Sequence, residues 1–319
     1  MKKYILTVIF CFICDFAMPE FLSSLGQIEG LEMVREDQMS YASDLVFSPN
    51  GRNLAFISRG VENPDEIKVL DTDTWQLVNI GHHTTESYVE WVTDDIIAAR
   101  DRDVPARNFI SLTAGEMITD ETTVADLRNQ PKGKVTASRK HLYDITGSDR
   151  VSLLDNGKEF LVIRDINEFT NLRVSTSRNL ITFSGIVNEE FKQEHSLGGI
   201  QGIFLYDRNT NRLKLIEGDL ASHSCFSADE KFLLYESTSI SPDNLPGCED
   251  ETYLSSLWIM DIASGERKQL SEYKRTTFYC LAWSSNGLIC FTREGHPDVT
   301  QLGFYRLKLK QSEQAPTPN

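Results

Sequence analysis

The sequence predicts an all-β fold, a six-bladed β-propeller with four antiparallel strands in each blade. Three observations predict it: a two-strand unit recurs along the chain, a second two-strand unit follows it, and one residue type opens the turn of the second unit. The clearest first unit is LVFSPNGRNLAFIS, Leu45 to Ser58, in which two apolar strands flank the turn Ser48-Pro49-Asn50-Gly51. Proline restricts φ and Asn-Gly accepts positive φ, so this turn reverses the chain tightly.

The second unit is IKVLDTDTWQLVNI, Ile67 to Ile80, two strands around a polar turn that begins at Asp71. Aspartate opens the corresponding turn in other copies, at Asp155, Asp207 and Asp261. A carboxylate in this position accepts backbone N–H groups of its own turn. The recurrence therefore has a structural cause, and these aspartates are not catalytic candidates.

The number of blades follows from the places where first strands begin, near residues 43, 87, 131, 171, 222 and 278. The copy from Val135 to Thr146 is the poorest, and residues 119–150 fit the repeat badly. The last blade lacks an obvious fourth strand after Leu309. We expect the segment near Ile28 to Val34 to supply that strand and to close the ring, because closure removes an exposed sheet edge.

The start of the chain indicates export. Lys2 and Lys3 precede the mostly apolar run Tyr4 to Cys14, which is too short to span a bilayer comfortably and is typical of a signal peptide. A cleaved signal peptide, an uncleaved anchor and a lipid-modified cysteine remain alternatives. We divide the chain into residues 1–24, signal peptide or anchor, residues 25–310, one propeller domain, and residues 311–319, a flexible polar tail. The expected location is the periplasm or the cell exterior, with no membrane span after signal cleavage.

Charge and cysteine content limit the partners and the chemistry. The net charge is −15 with a pI near 4.9, which disfavours nucleic acids and anionic lipid surfaces. Four cysteines lie outside the leader: Cys225, Cys248, Cys280 and Cys290. An exported protein can form disulfides. We favour the alternative that Cys225, Cys280 and Cys290 are small buried residues of strands.

The repeat as a whole resembles the TolB-like propeller repeat, also described as PD40 or WD40-like. The resemblance rests on the series aromatic-Ser-Pro-Asn-Gly-basic-x-Leu-Ala-Phe in Phe47 to Phe56, followed by the turn at Asp71, and it covers roughly residues 40 to 310. It implies an envelope-associated propeller. TolB proteins carry an α/β domain of over a hundred residues before the propeller, whereas only about twenty residues separate leader and propeller here. We therefore expect a propeller alone.

The two faces of the predicted propeller differ in their loops. Turns of the Ser48–Gly51 and Asp71 types share one face and are short. The opposite face carries the long loops 185–201 and 238–254, and loops that exceed structural need are where binding usually resides. Five histidines fall on the same face and are our candidate ligand-binding residues: His82, His83, His195, His223 and His296.

The histidines leave two functional classes open. Imidazole is a common transition-metal ligand, but no pair of these histidines has the spacing of a known metal motif, so we expect no cofactor and keep a metal as the alternative. The sequence contains neither GxSxG nor HExxH. We therefore expect a non-enzymatic binding or scaffold propeller that docks an envelope or extracellular protein, peptide or glycan. The alternative is a metal-assisted lyase or hydrolase at the channel mouth.

Overall fold

The computed structural model describes most of the predicted propeller. The described residues are 24–38, 42–58, 65–83, 88–100, 107–113, 116–118, 123–124, 126, 135–141, 149–155, 158–163, 166–187, 200–218, 221–240, 253–274, 276–295 and 299–310. The predicted leader and tail lie almost wholly outside them. Among the described residues, no helix combines the length and the apolar character needed to cross a membrane.

All strands of the described residues belong to antiparallel sheets. The first part of the chain contains a strand that joins the last sheet and then three successive sheets, with the bounds β1 (Ile28–Gln38), β2 (Ala42–Phe47), β3 (Asn53–Ser58), β4 (Asp65–Asp71), β5 (Leu77–His83), β6 (Tyr88–Trp91), β7 (Ile96–Arg100), β8 (Arg107–Ser111), β9 (Glu116–Met117), β10 (Val135–His141), β11 (Asp149–Asp155) and β12 (Lys158–Ile163). The second part contains three more sheets, with the bounds β13 (Ile166–Val174), β14 (Leu180–Val187), β15 (Ile200–Asp207), β16 (Arg212–Glu217), β17 (Ser224–Phe226), β18 (Phe232–Ile240), β19 (Tyr253–Asp261), β20 (Arg267–Gln269), β21 (Thr276–Trp283), β22 (Ile289–Gly295) and β23 (Val299–Leu309). A single 3-10 turn, Leu25–Gln27, precedes β1.

Five of the sheets have four strands and form blades. The first blade is β2–β5, the second β6–β9, the third β13–β16, the fourth β17–β20, and the fifth β21–β23 with β1. Between the second and third blades lies a sheet with three described strands, β10–β12. The chain is thus a β-propeller with four-stranded antiparallel blades. The prediction of six such blades is wrong, since five are present among the described residues.

The missing hairpin lies where the repeat is poorest. We predicted two strands between Val135 and Thr146, but β10 runs without interruption to His141. Where the clear copies have Pro-Asn-Gly, this copy has Arg139-Lys140-His141. None of these three residues favours the backbone angles of a tight turn, so the chain stays extended through them.

The first strands of the blades lie next to one another around the centre. Strand β2 contacts β6 and β21, and β17 contacts β13 and β21. Apolar side chains fill the spaces between neighbouring blades. The first and fifth blades, from opposite ends of the chain, share one such cluster, which includes Leu54, Phe56, Leu70, Cys290, Leu302 and Phe304. The N-terminal segment predicted as a missing strand forms β1, which pairs antiparallel with β23 from Ile28↔Leu309 to Gln38↔Gln301.

The aspartate-opened turns have the predicted structural role. In the first blade Asp71 Oδ1 accepts hydrogen bonds from the backbone N of Asp73 at 2.9 Å and of Thr74 at 2.8 Å. The backbone N of Ser264 donates likewise to Asp261 Oδ1 at 2.8 Å. This bond from Ser264 holds the pKa of the Asp261 carboxyl below its ordinary value. These carboxylates build turns, as predicted.

Candidate functional site

The long-loop face is the end of the sheets at which first strands begin and second strands end. Pairing of β14 with β15 continues to Val187↔Ile200, and pairing of β18 with β19 continues to Ile240↔Tyr253. The two long insertions therefore leave the third and fourth blades on this face, although residues 188–199 and 241–252 lie outside the described part of the chain. The start of β17 belongs to the same face, because Glu236 on β18 donates its backbone N–H to the carbonyl of His223 at 2.9 Å.

The structure describes the five predicted histidines to different extents. His195 and His296 lie outside the described residues. The backbone of His82 and His83 lies at the end of β5, opposite Glu66 and Asp65 on β4. The side chain of His223 is described, at the start of the inner strand of the fourth blade. Within the described ranges no group of three His, Cys, Asp or Glu side chains could hold a metal ion.

His223 is held by a buried carboxylate. Its Nδ1 lies 3.1 Å from Glu236 Oε2 and 2.8 Å from Ser222 Oγ. The Glu236 side chain is only 1% exposed and that of His223 is 15% exposed. When the Glu236 carboxylate is ionised it can only accept hydrogen bonds, and His223 Nδ1 is then the donor of the pair. In the neutral imidazole the lone pair then lies on Nε2, which makes no hydrogen bond within the part of the chain that the structure describes.

Three donors satisfy the Glu236 carboxylate. Ser222 Oγ donates to Oε2 at 3.2 Å, alongside the donation from His223 Nδ1. The backbone N of Phe278, on β21 of the fifth blade, donates to Oε1 at 3.2 Å. A buried carboxylate is tolerated only when it is hydrogen-bonded in this way. The pair therefore joins the fourth blade to the fifth as well as orienting His223.

The other blades show that the propeller does not need this pair. His223 stands opposite Glu236 across the first two strands of the fourth blade. The pairs at the same place in three other blades are Ser43↔Ile57, Thr170↔Ser184 and Tyr279↔Thr292. Two of these second-strand residues hydrogen-bond the next blade with a hydroxyl, Ser184 to the carbonyl of Ser222 and Thr292 to that of Ala42. The corresponding pair of the second blade is Tyr88↔Arg100. A carboxylate with an imidazole occurs at this place in the fourth blade alone among the five four-stranded blades.

The fourth blade also lacks a bulge that the first, third and fifth blades share, and the second blade lacks it too, since its pairing is uninterrupted from Tyr88↔Arg100 to Trp91↔Ile97. In the first blade, Ser43↔Ile57 is followed by Val46↔Ala55, three steps on β2 against two on β3. The extra residue has a left-handed backbone conformation in each of the three blades: φ is 54° at Asp44, 51° at Asn171 and 54° at Cys280. In β17 the next pair after the one at His223 is Ser224↔Tyr235, with no extra residue.

Neighbouring blades complete the surroundings of His223. The ring of Tyr279 lies edge-on to the imidazole, with centroids 5.5 Å apart and planes at 83°. Asn171 Nδ2 donates to the carbonyl of Ser222 at 2.9 Å from the third blade. Sequence reasoning found His223 and missed Ser222, Glu236 and Tyr279. The available signal was the alignment of the repeats, which sets Glu236 against an isoleucine in the first blade, a hydroxyl residue in the third and fifth, and Arg100 in the second.

No cysteine among the described residues contributes a disulfide to this face. Cys225, Cys280 and Cys290 are not joined in disulfide bonds with one another. Cys225 and Cys290 are buried, as predicted, while Cys280 is half-buried. Burial raises the pKa of the Cys225 thiol to about 12 and raises that of Cys290 well above its ordinary value. Cys248 lies outside the described residues.

The strand pairing and the repeated blades define the protein as a β-propeller, with the Glu236–His223 pair at the start of the inner strand of its fourth blade. No protein-family model matches the chain, and no curated protein sequence matches it. Among solved structures it is similar to oligogalacturonate lyase from Vibrio parahaemolyticus, with 10% identity, a TM-score of 0.48, and coverage of 84% of this chain and 90% of the lyase.

Two further propellers show the same level of similarity. TolB from Acinetobacter baumannii is 15% identical with a TM-score of 0.44, over 82% of this chain and 66% of TolB. The β-propeller domain of the Trilobed protease from Pyrococcus furiosus is 16% identical with a TM-score of 0.46, over 87% of this chain and 85% of that domain.

Proposed function

We propose that the chain is an exported, non-enzymatic binding propeller of TolB-like type, which docks a protein, peptide or glycan partner on its long-loop face. The observation that carries the proposal is the Glu236–His223 pair. It lies at the mouth of the inner strands, it is not required by the repeat, and it shares a face with both long insertions. Polar groups beyond the needs of the fold are the ordinary sign of a binding surface.

The opposite face supports this choice because its turns hold the blades together. The backbone N of Asn50 donates to Asp94 Oδ1 of the second blade at 2.8 Å. Asn286 Nδ2 of the fifth blade donates to the carbonyl of Gly51 at 3.2 Å. Ser177 Oγ of the third blade donates to Glu230 Oε2 of the fourth at 2.5 Å. These polar groups are already engaged, so the long-loop face is the better docking surface.

The fold allows a direct test of that face. Because Ile240 and Tyr253 pair directly, residues 241–252 can be replaced by Asn-Gly, a sequence that closes a two-residue hairpin. Binding of lysine-containing peptides and of neutral and acidic oligosaccharides is then measured by calorimetry. We expect this variant to lose a ligand that the wild type binds, and Asp73→Asn on the opposite face to keep it, with unchanged melting temperatures. Equal binding by the loop variant would refute docking on this face.

The proposal includes export and a ring closed by β1. The apolar run Tyr4–Cys14 supports a signal peptide, and the pairing of β1 with β23, together with the apolar cluster shared by the first and fifth blades, supports closure. N-terminal sequencing of the protein recovered from periplasm and culture medium tests export. A mature chain that starts between residues 15 and 27 is expected, and retention of the whole chain in the cytoplasm would contradict it.

One observation favours a second candidate, a metal-assisted lyase or hydrolase at the channel mouth. An imidazole whose Nδ1 is bound to a carboxylate has the arrangement of a general base or a metal ligand. Oligogalacturonate is a suitable substrate for the assay, with added divalent cations. Turnover by the wild type that disappears in His223→Ala would replace the binding proposal with this one.

A further inference from the structure

A buried carboxylate, an oriented imidazole and an aromatic ring lie together at the start of the inner strand of the fourth blade. Glu236 is hydrogen-bonded to Ser222, His223 and Phe278, and no lysine or arginine pairs with it among the described residues. When the imidazole is neutral the group therefore carries a negative charge. Nε2 of His223 is then an acceptor, and the ring of Tyr279 lies beside it.

We propose that this group anchors a cation, the ammonium or guanidinium of a lysine or arginine side chain on a basic peptide or protein segment. The inference rests on the proposed binding function and names the ligand chemistry of the same site. A cationic N–H donor satisfies Nε2, is attracted by the Glu236 carboxylate behind the imidazole, and gains a cation–π contact with Tyr279. The net charge of −15 steers such a segment toward the protein.

Groups from three blades surround the imidazole. Glu236 on β18 and the phenol of Tyr279 on β21 face His223, and Asn171 on β13 is neutral. Arg173 on β13 acts on the thiol of Cys225, further along β17. The Glu236 carboxylate attracts a cation but not a neutral sugar hydroxyl, so the charge of the ligand distinguishes the two classes of partner.

The test uses acetyl-Gly-Lys-Gly-amide and its norleucine analogue, which has nearly the shape of lysine without the charge. With the full chain after export we expect calorimetry to show binding of the lysine peptide at about pH 8 and at least roughly tenfold weaker binding of the analogue. Equal affinity for both peptides, or no binding of the lysine peptide, would overturn the cation anchor.

Two substitutions at His223 separate the role of Nε2 from general packing. His223→Asn keeps a donor near the position of Nδ1 and removes the Nε2 position, so lysine binding should fall roughly tenfold or more. His223→Gln restores an acceptor near Nε2 and should recover part of the affinity. Thr170→Ala, at the matching exposed position of the third blade, should leave it unchanged. Equal affinity in His223→Asn would overturn the proposal.

Glu236→Gln provides a readout that needs no ligand. The glutamine oxygen can still accept from Phe278, but its amide then donates to His223 Nδ1, which moves the imidazole proton to Nε2. Nitrogen NMR should show the Nδ1–H tautomer in the wild type and the Nε2–H tautomer in the variant. The Nε2–H tautomer in the wild type would contradict the inference. If neutral oligosaccharides bind on the long-loop face while lysine does not, the anchor fails and the proposed binding function stands.

Discussion

Gly51 in the first blade lies directly against Ser285 in the corresponding turn of the fifth blade. A Cβ at position 51 would be 2.5 Å from Ser285 Oγ and 3.0 Å from its backbone N. Ser285 Oγ donates to the carbonyl of Pro49 at 3.3 Å, and Asn286 Nδ2 donates to that of Gly51. The two turns thus interlock where the start and the end of the repeats meet.

Gly51→Ala should therefore destabilise the protein more than Gly287→Ala. Both glycines have positive φ, 74° and 82°, so both substitutions carry the strain of a left-handed residue. A Cβ at Gly287 meets no atom within 4 Å, so the difference isolates the contact with Ser285. We expect urea unfolding to show an additional loss of about 1–3 kcal/mol for Gly51→Ala.

Adding Ser285→Ala to Gly51→Ala should restore part of this loss, because it removes the Oγ atom that the new methyl group would strike. Equal unfolding free energies for the two single variants would show that a methyl group at position 51 meets no resistance from Ser285. That result would contradict the contact between the turns of the first and fifth blades.

The residue with left-handed backbone conformation in the fifth blade can be compared with the residue at the same position of the third blade. Cys280 has φ 54°, and its counterpart in the third blade is Asn171 with φ 51°. Asparagine tolerates this conformation, whereas a β-branched residue does not. Cys280→Asn should match or exceed the wild-type unfolding free energy, and Cys280→Val should lose about 1–3 kcal/mol. A neutral valine would refute the bulge at this position.

The buried thiol of Cys225 predicts a loss of stability at alkaline pH. Burial raises its pKa to about 12, so the folded state holds the thiol proton more tightly than the unfolded chain. The stability from the protonated thiol is fully present below the ordinary thiol pKa and is lost as pH rises through the folded pKa. From about pH 8.5 upward, the stability advantage of the wild type over Cys225→Ala should shrink by up to about 1.4 kcal/mol per pH unit.

Urea unfolding of both proteins at several alkaline pH values measures this slope. Tyr235 and Tyr305, whose pKa values burial also raises, are present in both proteins and their contributions cancel. A constant difference between wild type and variant across this range would show that Cys225 is not a buried, protonated thiol.

Local signals explain which parts of the fold were predictable. The turn Ser48–Gly51 and the turn at Asp71 consist of residues whose own backbone preferences specify a reversal, and both form as predicted. The blade count failed at Arg139-Lys140-His141, where no residue enforces a turn and β10 stays extended. Hydrophobic alternation alone does not distinguish one long strand from a hairpin.

The candidate site depended on register, which the sequence does not display. His223 is polar and lies in a loop-like context, so it was found. Glu236 lies thirteen positions after His223 in the sequence and has no local feature that distinguishes it from other strand residues. Only strand pairing places its carboxylate against the imidazole. Phe278 and Tyr279 come from another blade altogether. Contacts between repeats follow from the packing of blades, for which a single sequence carries no local pattern.

Strand β1 contributes buried side chains to the fifth blade from the opposite end of the chain. Ile28, the first residue of β1, is 0% exposed and Leu25, in the 3-10 turn before it, is 2% exposed in the cluster that this blade shares with the fourth. A chain that begins at residue 39 should therefore expose the edge of β23, melt at a lower temperature and associate with itself. A synthetic peptide of residues 24–38 should pair with β23, restore the melting temperature and reverse the self-association.

Two altered peptides make the complementation specific. Ile28→Asp places a charge in the buried position and should abolish rescue. Glu29→Gln removes only the exposed ion pair between Glu29 and Lys308, at 3.0 Å, and should rescue almost as well as the unaltered peptide, because such pairs contribute little. Thermal melting and sedimentation measure both outcomes. Rescue by the Ile28→Asp peptide, or full stability of the shortened chain without any peptide, would show that β1 is not the strand that completes the last blade.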